Sequence, residues 1–261
     1  MKISYHTHTY RCKHASGSAE EYIERAIAEG LKILGFSDHA PMPYENGFVS
    51  HYKMLPEEIG EYFDELLMLK EKYKGKIDIK IGFETEYYPS LWEKCLEFWK
   101  PYPIDYLILG QHFAPDEAVP NRFYTGKATE EKQRVTDYVD TVIAGMNTGI
   151  ISYVAHPDLI NYVGEDTEFF KSEFIRLINE AIRLGLPIEY NLLGMSEGRD
   201  YPKPLFWQEA ARLGAKAVLG CDSHSPSRVA KREEVERAEK YLKGLGITLL
   251  DEVELRKVII L

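Results

Sequence analysis

The 261-residue sequence holds only three cysteines, and none of them stands in a CxxC pair. Cys12, Cys95 and Cys221 leave one thiol over in any disulfide pairing, and three scattered thiols cannot build a structural four-cysteine zinc site. They read as free thiols in a reducing compartment. No apolar run approaches the roughly eighteen residues needed to cross a bilayer, and the N-terminus turns polar at "HTHTYRCKH" with no signal-peptide core. The expectation is a cytoplasmic protein with no membrane partner. Basic charge is also scarce: 32 Lys and Arg against 42 Asp and Glu leave a net −10, and no basic stripe is interleaved with aromatics. That argues against a nucleic-acid partner, and an anionic ligand would need a strong local source of positive charge. Low-complexity tracts and internal linkers are missing. A composition of 44% hydrophobic and 12% aromatic residues is enough for a sizeable core.

What the chain does have is alternation. Seven β-like runs ("KISYH", "KILGFSDH", "IDIKIGFE", "DYLILGQH", "IISYVAH", "LPIEYN", "KAVLGCDSH") are separated by amphipathic stretches such as "SAEEYIERAIAEG", where Ser18 and Glu21 have capping-box spacing. Gly30, Gly185 and Gly214 stand where left-handed residues would end helices. Strand and helix alternating through the whole length predict an α/β fold with a parallel sheet, closed as a (β/α)7 TIM-like barrel in a single domain over 1–261. "SRVAKREEVERAEKYLKGLG" and "DEVELRKVIIL" add a last helix, a short strand and a tail. The longest insertions fall at about residues 40–55 and 113–128, over what would be the barrel mouth.

Every strand finishes on a residue able to ligate a metal or hydrogen-bond: His6 and His8, His39, Glu84, His112, His156, Asn191, and Asp222 with His224. In a parallel barrel those strand ends meet at one mouth. His6/His8 and Asp222/His224 are spaced i, i+2, which puts each pair on one face of an extended strand. Seven of the eight histidines lie at or just beyond strand ends, with His51 alone in mid-loop. Imidazole and carboxylate without clustered thiolates suit zinc, iron or manganese in a catalytic role.

The ordered motifs "HTH", "SDH", "GFE", "GQH", "AHPD" and "GCDSH" resemble the polymerase-and-histidinol-phosphatase (PHP) superfamily, and within it the monofunctional histidinol-phosphatases. The resemblance covers nearly the whole chain. It implies a distorted seven-stranded barrel with two or three divalent metal ions: His6, His8, Glu84 and Asp222 on one, Glu84, His112 and His156 on a second, and His14, His39 and His224 on a third. Three ions against two carboxylates would leave the site about +4, enough to draw a phosphomonoester dianion into an acidic protein. The implied reaction is hydrolysis of L-histidinol phosphate, a small-molecule phosphomonoester, to L-histidinol and phosphate in histidine biosynthesis. Water activated by metal would attack, with no phosphoenzyme.

Asp222 and His224 are the candidates for handling the leaving-group proton, and Arg199 in "GMSEGRDYP" stands where the resemblance implies a phosphate-clamping arginine. Glu86 and Glu189 are the carboxylates expected either to meet the substrate's amine and imidazole or to orient a ligand, and Asn191 is a further candidate substrate contact. His51, Lys53 and Arg122 read as solvated loop residues, Cys12 as incidental beside His14, and Asp38 as facing away from His39. Asp158 reads as a capping or orienting residue. The competing expectations are a PHP-type phosphoesterase with another substrate, such as a phosphotyrosine protein or a small phosphodiester, and a non-catalytic metal-binding scaffold.

Overall fold

Runs of apolar residues at period two and at helical spacing alternate along the chain, and each becomes a strand or the helix covering it. The computed structural model describes residues 1–258; the end of the expected tail, 259–261, lies outside the described residues. In chain order come β1 (Ile3–Ser4), α1 (Ala19–Ala28), β2 (Ile33–His39), α2 (Ile59–Lys72), β3 (Asp78–Thr85), α3 (Trp92–Trp99), β4 (Tyr106–Leu109), β5 (Phe113–Ala114), β6 (Phe123–Tyr124), α4 (Lys132–Met146), β7 (Ile151–Val154), α5 (Thr167–Arg183) and β8 (Ile188–Asn191). They are followed by α6 (Leu192–Glu197), α7 (Pro204–Leu213), β9 (Lys216–Gly220), α8 (Arg232–Leu245) and β10 (Thr248–Leu249).

Among the described residues, eight strands form one parallel sheet in the order β1-β2-β3-β4-β7-β8-β9-β10, and β5 and β6 form a separate antiparallel hairpin. The seven expected strands are all there, and a short last strand, β10, lies at Thr248–Leu249, between the two runs from which it was expected. The hairpin stands inside the second insertion, where two-residue strands give no legible period. Helices α3 and α6, also unanticipated, are short.

The distortion of the barrel sits at its seam. Beyond β1 and β9 the two chains meet in a parallel bridge between Thr7 and Ser223, with His8 N–H donating to Ser223 O (3.0 Å) and Ser223 N–H to His6 O (3.3 Å). Farther from the mouth the edge of β9 is taken by β10, with Thr248 beside Lys216. The ring is thus drawn together at the end where the histidines stand, and wedged open at the other.

Two apolar layers result. The larger lies between sheet and helices; a smaller one fills the barrel interior with Ile3, Tyr5, Tyr106, Ile108, Tyr153, Ala155, Val218 and, from the tail, Val253. Tyr106 Oη donates to Tyr5 O at 2.6 Å. Room for that ring comes from Gly35 and Gly82, where an added Cβ would fall 2.3 Å from Tyr106 Oη and 2.2 Å from Tyr106 O. Outside, α1 starts with the anticipated box: Ser18 Oγ accepts from Glu21 N–H (3.3 Å) while the Glu21 carboxylate accepts from Ser18 N–H (2.7 Å). Such a cap contributes about 1 kcal/mol. Gly30, Gly185 and Gly214 have φ of 81°, 68° and 80°, as stop signals require.

Candidate metal centre

The interior layer is the floor of the site, and the side chains one or two positions farther along each strand form the site itself. Regular alternation from Tyr153 and Ala155, which face the interior, would send His156 outward. Instead His156 has φ 28° and Asp222 φ 48°, a region that non-glycine residues adopt at a cost. The strained turn brings His156 into the mouth. His14 arrives differently: Thr9 caps a single 3-10 turn, Tyr10–Cys12, and Lys13 in the left-handed region (φ 68°) folds the chain back toward the strand ends.

Glu84 is the hub. Its Oε1 lies 2.8 Å from His156 Nε2 and 3.7 Å from His112 Nε2, whereas its Oε2 lies 2.9 Å from His39 Nδ1, 3.4 Å from His6 Nε2 and 3.6 Å from His8 Nε2. Asp222 Oδ1 stands 3.5 Å from His6 Nε2 and 3.1 Å from His8 Nε2. Each carboxylate oxygen of Glu84 therefore serves a different set of imidazoles. The ring of His224 stacks on those of His8 and His14, with centroids 4.2 and 4.5 Å apart, and His39 lies 5.5 Å from His14. All nine expected residues come together.

The donor set fits cations. Buried atoms with no hydrogen-bond partner include Nε2 of His6, both ring nitrogens of His8, Oε2 of Glu84, Nδ1 of His156 and Nε2 of His224. So many unpaired buried donors would be costly in a site meant to stay empty. Three-residue sets with donor atoms within 4.8 Å of one another include His6/His8/Glu84, His6/His156/Asp222, His8/His39/His224 and Cys12/His14/His224. Cys12, expected to be incidental, has its buried thiol in that last set.

A second ring of residues holds these donors. Glu189 accepts from His156 N–H (3.1 Å) and stands 2.8 Å from His6 Nδ1. Asn191 Nδ2 donates to Glu189 (3.0 Å) and to Asp222 Oδ2 (3.1 Å), while its Oδ1 caps α6 by accepting from Gly194 N–H (2.9 Å). Glu86 Oε1 accepts from His112 N–H (2.9 Å) and lies 3.0 Å from His112 Nδ1. The expected substrate contacts Glu86, Glu189 and Asn191 are thus engaged with the cluster's own ligands. Asp38 does not face away: it is buried, with Oδ1 3.5 Å from His8 Nδ1, held by Thr9 N–H at 3.1 Å. Lys53 is no solvated loop residue either; it is 3% exposed, with its ammonium on Glu86 and Glu117. A cation within a run holding "HYKML" carries no periodic signal that it is buried. Arg199 reaches the rim, bonded to Glu197 (2.7 Å) and to Tyr201 Oη (3.1 Å), whose ring lies 5.8 Å from that of His156.

The charges follow from this packing. Burial opposes ionisation of Glu84 and Asp222, yet the surrounding imidazoles hold both carboxyls well below the usual range. Burial also opposes a charged His8, but Asp222 and Asp38 raise it from 6.5 to about 9, and Glu189, Asp222 and Glu84 raise His6. Burial wins at His39, lowered well below 6.5, and drops His224 to about 3 with help from His8.

His8 is then charged in the metal-free fold but neutral in the unfolded chain between pH 6.5 and 9. Its stabilisation is complete below 6.5 and is lost as pH rises through 9. Zinc requires the neutral ring, so zinc affinity rises over the same interval. The Tm difference between zinc-loaded and metal-free protein should widen from pH 6.5 to 9; a constant or narrowing difference in differential scanning fluorimetry would contradict these charges.

The profile of the PHP domain family matches residues 4–193. A protein from Schizosaccharomyces pombe named "Probable histidinol-phosphatase" is 30% identical over 97% of this chain and 90% of its own length. One of the same name from Deinococcus radiodurans is 27% identical over 87% and 88%. The crystal structure of histidinol phosphate phosphatase from Lactococcus lactis, complexed with zinc, L-histidinol and phosphate, superposes with a TM-score of 0.73 at 21% identity, covering 95% of each chain.

Proposed function

The chain belongs to the PHP domain family, and from that premise we propose that it is a metal-dependent phosphomonoesterase that hydrolyses L-histidinol phosphate to L-histidinol and phosphate. The observation that carries the reading is Glu84, whose two oxygens face separate groups of buried imidazoles with unpaired nitrogens. His6, His8, Glu84 and Asp222 would hold one ion, Glu84 with His112 and His156 a second, and His14, His39 and His224 a third. Bound zinc, iron or manganese would supply Lewis-acid stabilisation of phosphoryl oxygens and activation of water near neutral pH.

The chain's own residues favour that loading. Glu84, Asp222, Asp38, Glu86 and Glu189 crowd the pocket with acid groups, while Lys53 is committed to Glu86 and Glu117. A phosphate dianion has no reason to enter until cations reverse the field. Arg199, 41% exposed in its side chain, is the cation left at the rim to take two phosphate oxygens, by exchanging Glu197 for substrate. Asp222 and His224 are both deprotonated at neutral pH. Asp222, which keeps a second oxygen when one ligates a metal, can take a proton from the attacking water and return it to the leaving alkoxide. His224, with Nδ1 on Asp222 O (3.0 Å) and Nε2 the nitrogen left for a metal, has no lone pair for that role. The Cys12 thiol is pushed up by burial, so it makes a poor nucleophile and direct transfer to water is favoured.

The relatives named histidinol-phosphatase support the substrate. The experiment is elemental analysis of the purified protein with phosphate release measured side by side from histidinol phosphate, phosphotyrosine and an aryl phosphate. Preference for histidinol phosphate is expected. Preference for either of the others would replace the substrate, and no turnover at full metal occupancy would leave a metal-binding scaffold. Arg199→Ala should keep its metals and raise KM about tenfold or more; wild-type kinetics in that variant would remove the clamp.

A further inference from the structure

The network around Lys53 is used by none of the steps above, yet it joins both long insertions to a histidine of the cluster. Lys53 Nζ donates to Glu86 Oε2 at 3.0 Å and to Glu117 Oε2 at 2.7 Å. All three residues are buried, with Lys53 3% and the two acids 2% exposed. Glu117, on the hairpin insertion, also accepts from Ser50 Oγ (2.6 Å) and Tyr44 Oη (3.3 Å), so it grips the first insertion at three points. Glu86 turns its other oxygen to His112, accepting from its backbone N–H and standing 3.0 Å from its Nδ1. With Nδ1 held there, His112 presents Nε2 toward Glu84. One chain of contacts runs from loop to loop to ligand.

We propose that Lys53 is a positioning residue: by clamping Glu86 between itself and His112, it ties the packing of the two insertions to occupancy of the metal position that His112 serves. The inference rests on the reading of His112 as a ligand. Its physical basis is the count of charges in a buried space. Two buried carboxylates share one ammonium, and without it they would face each other unpaired across the space the ammonium filled. They must then separate or admit water, and the oxygen of Glu86 that fixes the His112 ring moves with the rest of its carboxylate. Ring orientation in a metal ligand is set by the group bonded to its other nitrogen, and loss of such a partner typically weakens metal binding about 10- to 100-fold.

The test uses the full-length protein loaded with zinc or with cobalt(II). Lys53→Met, which keeps the aliphatic stem, should weaken one equivalent of metal at least tenfold while the others stay, alter the cobalt visible spectrum, and speed hydrogen exchange across residues 40–55 and 113–128 together. Glu117→Gln, which touches no histidine, should produce the same changes in weaker form. A Lys53→Met protein with wild-type metal affinities and cobalt spectrum would overturn the proposal. Should that variant fail to fold, Glu117→Gln decides alone, and an unchanged spectrum with unchanged exchange would equally overturn it. A wild-type chain that takes up no zinc would instead remove the metal reading beneath it.

Discussion

Glu84→Gln is expected to lose two equivalents of bound metal and to slow phosphate release by about a thousandfold or more, with its fold intact. The substitution keeps shape and removes one charge at the centre of the cluster. It also replaces one carboxylate oxygen with an NH2 group, a pure donor that points hydrogens where a cation would sit. Because Oε1 faces His112 and His156 while Oε2 faces His6, His8 and His39, neither orientation of the amide spares both sets. The zinc-dependent rise in Tm should shrink accordingly, since stabilisation by a ligand grows with the logarithm of its affinity for the folded chain. Metal counting, circular dichroism and phosphate release would check this together. A full metal complement with hydrolysis within tenfold of wild type would mean that Glu84 is not the hub.

Much of the site was legible because strand ends in a parallel barrel are equivalent places, so a histidine or acid at each one is a pattern that survives long gaps in sequence. The i, i+2 rule correctly put His6 and His8 together, on Glu84 Oε2 and Asp222 Oδ1. It could not show that His156 joins them through a positive φ, because backbone strain leaves no mark in a string of residue types. Orienting partners were the least legible. Asp38 neighbours His39 in sequence, but it faces His8 and is held by Thr9, twenty-nine residues before it, through the pairing of β2 with the segment after β1. Lys53 sits in an insertion without period, and only the fold brings it to Glu86. The fold class followed from alternation, whereas the seam did not: a two-residue β1 and a two-residue β10 are too short to announce which of them borders β9.

The glycines of the barrel wall offer the sharpest test that this pocket was shaped around its carboxylates. Gly110 follows β4 beside Glu84, and an alanine Cβ there would fall 1.9 Å from Glu84 Oε1 and 2.7 Å from its Cδ. Gly220 does the same for Glu189, with distances of 1.6 Å to Oε1 and 2.2 Å to Cδ. Neither contact can be relieved by a flexible chain end, since Glu84 is hemmed in by five imidazoles and Glu189 is bonded to His6, His156 and Asn191. Overpacking of this kind costs about 1–3 kcal/mol, or a Tm loss of roughly 2–12 °C in a chain of this size. The larger effect falls on function. Gly110→Ala should displace the Glu84 carboxylate and cost metal and at least about a hundredfold in activity, since displacing a ligating or supporting group by about 1 Å carries a penalty of that order. Gly35→Ala is the control: its Cβ strikes Tyr106 Oη at 2.3 Å and comes within 2.8 Å of Tyr5 Cα in the interior layer, one residue short of His6, and its nearest neighbours include no donor atom of the cluster. It should lower Tm by a similar amount yet retain its zinc. Equal loss of zinc in Gly35→Ala and Gly110→Ala would mean that general loosening of the barrel, rather than the seat of Glu84, governs metal binding.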